Sequence, residues 1–217
     1  MFKALLVVQW KWTKGAALLA TILGFAIPLA SVQSMGTRED YLRAASVVAA
    51  MQDFGVAYAL LAAGVGLAFA VFAWGPDHNG RHIYALSLPI DRARYAAMRF
   101  GSGSLFLLLP ALGVLAGSLV ATLIADIPAG LHAYPFSLAV RFLLASAVSY
   151  AIFFAITAST AKAAGVVLGG IASFLIIAFL LSAMSVQTDV LGPAGSFLFG
   201  EAGPLAVFTG RWMLFDA

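Results

Sequence analysis

Cysteine is absent from the 217 residues, so no disulfide staples this chain and no thiolate holds a metal. Charge is scarce as well. Only 10% of the residues are Asp, Glu, Lys or Arg, against 63% hydrophobic, and the mean hydropathy of +1.01 excludes an ordinary soluble domain. Short segments of alternating apolar and polar residues are missing too, which argues against a β-barrel and leaves a helical bundle in a bilayer. There is no GxxxxGK[ST] loop, so the chain does not cradle nucleotide phosphates by itself. No serine stands with a histidine and an acid in a recognisable triad order, and no catalytic residue is assigned. The chain carries a net charge of +3 and a pI near 9.4. Its basic residues flank apolar runs instead of forming a stripe interleaved with aromatics, so a nucleic-acid partner is not expected.

What the sequence does contain is a series of apolar runs near the ~20 residues that a membrane-crossing helix needs. The expected fold is an all-α polytopic membrane protein forming a single domain over residues 1–217. Five spans are predicted, over residues 15–35, 55–74, 101–124, 138–157 and 165–185. Residues 1–14 read as a helix lying at the membrane interface, with Lys3, Lys11 and Lys14 within an arc of roughly 80° and Trp10 and Trp12 at headgroup level. Those lysines ahead of an apolar run imitate a secretory signal with Ala30 near a cleavage point, but the chain is read as uncleaved. Pro28 predicts a bend in the first span.

Between the first two spans, Thr37 and Asp40 have capping-box spacing and Glu39 and Arg43 are four apart, which predicts a short surface helix. Small residues recur at packing intervals. Ala62 and Gly66 lie in the second span, Gly113 and Gly117 in the third, and Gly165 and Gly169 in the fifth; each pair can bring two helix backbones close. Arg141, just inside the fourth span, can pair with Asp126 or extend to the headgroups. Ser149, Tyr150 and Thr157 form the only polar cluster within a span, too little to identify a substrate. Residues 186–217, rich in glycine and proline, read as a re-entrant or interfacial tail.

Five spans put residues 1–14, the 75–100 loop and Lys162 on one side. That side holds eight basic residues, Lys3, Lys11, Lys14, Arg81, Arg92, Arg94, Arg99 and Lys162, against four on the other, Arg38, Arg43, Arg141 and Arg211. The basic-residue rule makes the eight-residue side cytoplasmic, with the N-terminus inside and the C-terminus outside.

The longest polar interruption, Pro76 to Arg99, lies on that cytoplasmic side. Pro89 stops a helix from forming over Arg81–Leu88, Asp91 can cap a new one, and Arg92, Arg94 and Arg99 lead into the third span. This gives a helix, a break and a helix. The loop either passes a push from a docked soluble protein to two spans, or is an interfacial loop whose arginines follow the charge rule. His78 and His82, four apart, could ligate a metal or haem if they shared a helix, but Asn79 and Gly80 between them disfavour one. No metal site is assigned, and His132 reads as exposed in an outer loop.

The string Gly80–Arg99 resembles the cytoplasmic loop of permease subunits of type-2 ABC exporters. In that family a glycine and an apolar stretch precede L-S-L-P, an apolar residue, and a basic residue near a tyrosine. Leu86, Ser87, Leu88, Pro89, Ile90, Arg92 and Tyr95 match in order, and the succession of segments is similar too. The family pattern places an acid shortly before the glycine, where this chain has Asp77 followed by His78 and Asn79. It also has a sixth span. The resemblance implies an inner-membrane subunit of an ATP-driven exporter that pairs with a second permease copy or a paralogue. Arg81, Tyr84, Leu86, Pro89, Asp91, Arg92, Arg94 and Tyr95 would dock a separate ATPase, and ATP and Mg would reside in that partner, with no cofactor bound by this chain. The competing expectation is a non-transporting subunit of a redox or pigment complex, with His78 or His132 holding a cofactor.

Overall fold

The computed structural model describes residues 2–34, 43–79, 90–125, 127, 130–183, 197–200, 203, 205–209 and 212–216. The chain is mostly helical. Its elements are α1 (Phe2–Ser34), α2 (Arg43–Asn79), α3 (Arg92–Phe106), α4 (Leu108–Ile124), β1 (His132–Ala133), α5 (Pro135–Thr157), α6 (Ala161–Ala183) and β2 (Phe215–Asp216), with a 3-10 turn at Ala206–Phe208. Four stretches are long and apolar enough to cross a bilayer: Phe2–Gln33, Phe54–His78, Arg92–Ile124 and Pro135–Thr157. The protein is therefore embedded in a membrane.

Three expected boundaries are corrected. Residues 2–14 are not a separate interfacial helix: α1 is one helix of 33 residues that continues through Pro28. No breaker separates Lys14 from the apolar run, and Gly15 alone costs only about 1 kcal/mol relative to alanine. The surface helix expected after the first span is likewise not a separate element from Arg43 onward, since α2 runs unbroken for 37 residues to Asn79. Thr37, Glu39 and Asp40 lie outside the described residues. Finally, the helix that carries the third span begins at Arg92 instead of Gly101, because Asp91 caps it there by accepting from the Arg94 backbone N–H at 3.4 Å.

The α3–α4 stretch is interrupted only at Leu107. Pro110 explains the break, because it has no N–H to donate to the Phe106 carbonyl four residues earlier. Leu107 turns instead on the Ser104 carbonyl at 3.2 Å.

Four helix segments interlock. Gly113 and Gly117 face the α1 backbone so closely that a Cβ there would lie 2.5 Å from the Thr21 carbonyl oxygen and 2.3 Å from that of Phe25. Gly66 meets α5 in the same way, with Ser149 Cβ 2.3 Å from the position of an added Cβ. Fully buried Tyr58, Phe69, Val114, Phe142 and Tyr150 fill the space between these contacts. Gly113 and Gly117 thus close on another helix of the same chain. Around Gly165 and Gly169 nothing among the described residues lies within 4 Å of an added Cβ.

One end of the bundle, here the near end, gathers the start of α1, the end of α2, the start of α3 and the α5–α6 turn. Ser102 donates to Gln9 Oε1 at 2.5 Å, and His78 Nε2 lies 3.1 Å from the Ser159 carbonyl oxygen. The far end is closed by the C-terminal segment. Trp212, Met213, Leu214 and Phe215 are buried, Trp212 stacks on Tyr58 at 6.4 Å, and β2 pairs antiparallel with β1, His132 opposite Asp216. Arg141 holds this segment through the carbonyls of Val207 and Thr209 and lies 5.1 Å from the centre of the Trp212 ring. Asp126, its expected partner, falls outside the described residues.

Candidate functional site: a buried ion pair between α2 and α3

The residues flanking the α2–α3 connection build a polar cluster inside the near end. Along α3, Tyr95, Arg99, Ser102 and Phe106 follow the i, i+4, i+7, i+11 spacing of one helix face, and all four are buried. On α2, Asp77 stands one turn beyond Ala73 on the face turned toward α3. The two faces meet in a salt bridge between Arg99 Nη1 and Asp77 Oδ2 at 3.0 Å, with the side chains only 5% and 2% exposed.

The hydroxyl of Tyr95 donates to the same carboxylate, 3.2 Å from Oδ1 and 3.0 Å from Oδ2. Arg99 in turn donates to the Tyr95 oxygen through Nη1 and to the Ala73 carbonyl through Nε. Its guanidinium carbon lies 5.5 Å from the centre of the Trp74 ring and 5.4 Å from that of Tyr95. A charge removed from water is tolerated when it is paired and its donors are used. Arg99 has both forms of compensation, together with the electrostatic attraction of two ring faces.

The cluster is tied to the remaining helices. Ser102 joins it to α1 through Gln9. Trp74 packs on Phe154 of α5 at 5.1 Å between ring centres, and Phe100 stacks on Tyr150 at 5.2 Å. Thr157 Oγ1 donates to the Phe153 carbonyl at 2.7 Å and lies 3.3 Å from that of Ala70. The cluster therefore sits at a junction of α1, α2, α3 and α5.

The expected docking residues separate into three groups. Arg81, Tyr84, Leu86 and Pro89 lie outside the described residues. Asp91, Arg92 and Arg94 are exposed at the start of α3, where a partner could reach them. Tyr95 is buried at 4% exposure, with its hydroxyl engaged by Asp77, so it supports the junction from within. Arg99 was counted among the cytoplasmic basic residues, yet its charge is internal and neutralised. The Asp77–Arg99 pair itself was missed in sequence. Its signals were a lone acid after an acid-free run from Phe54 to Trp74 and an arginine one helical turn past Tyr95.

His78 lies at the end of α2 against the α5–α6 turn, His82 is outside the described residues, and His132 is exposed in β1. Among the described residues no three His, Asp or Glu side chains converge as metal ligands. No protein-family model, curated protein or solved structure matches the chain.

Proposed function

We propose that this chain is a permease-type membrane subunit of an ATP-driven exporter, in which the connection over residues 80–91 receives a separate ATPase. The observation that carries this reading is the buried Asp77–Arg99–Tyr95 cluster. It clamps both ends of that connection to the junction of four helix segments, so a load on the loop moves α2 and α3 together. Exposed Arg92 and Arg94 supply positive charge for an acidic groove on the partner, and the ATPase brings ATP and Mg. In this reading α6 is the fifth span, the near end is cytoplasmic in the inner membrane, and a second permease copy or paralogue completes the path.

The test is a pull-down from native membranes with the wild type and with the double variant Arg92→Glu/Arg94→Glu. Like charges across an interface cost several kcal/mol, and each ~1.4 kcal/mol is tenfold in affinity. The wild type is expected to recover a nucleotide-binding protein and the double variant to lose it, while both remain inserted. A wild type that recovers a cofactor-bearing assembly and no nucleotide-binding protein overturns the proposal.

A further inference from the structure

A cavity of about 1130 Å³ lies between α2, α5, α6 and the C-terminal segment. Its α2 wall is a single helical stripe, Gln52, Gly55, Val56, Ala59, Leu60 and Ala63, with the i, i+3, i+4, i+7, i+8, i+11 spacing of one face. At ~1.5 Å per residue the stripe is roughly 16 Å long, about half of a ~30 Å hydrocarbon core and hence close to one leaflet. Among the described lining residues none is charged, and Gln52 and Ser149 are the only ones with an amide or hydroxyl side chain. Trp212, also on the wall, gives its indole N–H to the Phe208 carbonyl at 3.2 Å.

An ionic ligand finds no counter-charge among the described lining residues and would be desolvated at high cost. A membrane-spanning partner helix would need a groove open across the whole bilayer. The stripe here covers only about half of that thickness, and at its far end Trp212 sits against Gly55, its Cβ 3.4 Å from the position of an added glycine Cβ. The cavity is open at the side, since Val56 and Leu60 remain 62% and 68% exposed. We infer that the cavity is a binding site for a phospholipid acyl chain, entering sideways from the leaflet at the far end. The occupant is a hydrocarbon chain about one leaflet long, held by α2 and α6 beneath the C-terminal segment. This inference does not depend on the ATPase-coupled reading.

Two adjacent glycines provide the test. Gly170 lines the cavity and Gly169 does not, and an added Cβ meets nothing within 4 Å at either one. In nanodiscs containing a trace of phosphatidylcholine with a mid-chain diazirine, adducts on Val56 and Leu60 are measured relative to adducts on Leu19 and Ile22, which are exposed on α1. Losing the burial of only two methylenes lowers affinity about tenfold. Gly170→Trp should therefore lower the ratio at least tenfold and Gly169→Trp should leave it at the wild-type value. Equal ratios in all three proteins overturn the inference.

Should Gly170→Trp fail to fold, wild-type protein in detergent decides. Labelling of Val56 and Leu60 that is competed by a single-chain lysophospholipid but not by glycerophosphocholine supports the site. Labelling that neither competes, or that is replaced by cross-links to a second copy of the chain, refutes it.

Discussion

Gly113 and Gly117 on α4 and Gly165 and Gly169 on α6 have the same four-residue spacing, and their surroundings are opposite. The first pair lies against the backbone of α1 at distances that exclude a side chain, whereas the second meets nothing among the described residues. The same contrast separates the interlocked assembly of α1, α2, α3–α4 and α5 from α6, whose Val166, Val167, Ile176 and Ile177 stay exposed. Spacing makes close approach possible, but the complementary surface that realises it lies on another element. In the interlocked part that surface comes with a buried ion pair, hydrogen bonds between helices and aromatic stacking.

The sharpest way to break the contrast is to remove the charge compensation within the interlocked part. Asp77→Asn leaves Arg99 buried without its counter-ion and should destabilise the protein by roughly 3–5 kcal/mol, read as a lower midpoint of denaturant unfolding in detergent. Replacing both partners, Asp77→Leu with Arg99→Leu, should recover most of that loss, because the desolvated charges disappear together. Gly117→Leu comes next. Its side chain would meet the Phe25 backbone, which cannot rotate away, so a loss of about 3 kcal/mol, the upper part of the overpacking range, is expected in the same assay.

Tyr95→Phe keeps the salt bridge but removes the hydroxyl that donates to Asp77 and accepts from Arg99, which should cost roughly 2–3 kcal/mol. At the small end, Gly169→Leu should fall within about 0.5 kcal/mol of the wild type. A large effect there would show that α6 has a partner helix and would remove the contrast.

Much of the fold was legible because the apolar runs are long and the bilayer fixes how long a helix must be. The runs containing Leu18, Phe69, Val114 and Phe142 all became helices. The helix ends were less legible. Nothing polar enough separates Lys14 from Gly15, or Asp53 from Phe54, to stop a helix, so the expected interfacial pieces merged with the spans. Asp91 was readable as a cap because its chemistry is local.

The ion pair was not readable in that way. Asp77 and Arg99 are 22 positions apart, and their meeting depends on how α2 and α3 rotate against each other. Arg141 illustrates the same limit. Its position inside a span marked it for a partner, but the Val207 and Thr209 carbonyls that hold it are about 66 positions away and are backbone groups, which composition cannot reveal.

The strand pair at the far end has a consequence for the order of assembly. His132 and Asp216 are about 80 positions apart, with α5 and α6 between them. Closing so long a loop carries an entropic cost, and two residues of ladder offset little of it. Burial of Trp212, Leu214 and Phe215 must supply the rest, against walls that exist only after α2 and α5 have packed. During insertion the far end is therefore sealed last, once the helices beneath it are in place. On gentle destabilisation it should also open first, exchanging its Tyr134 amide, bonded to the Leu214 carbonyl at 2.8 Å, before those of α1 and α4.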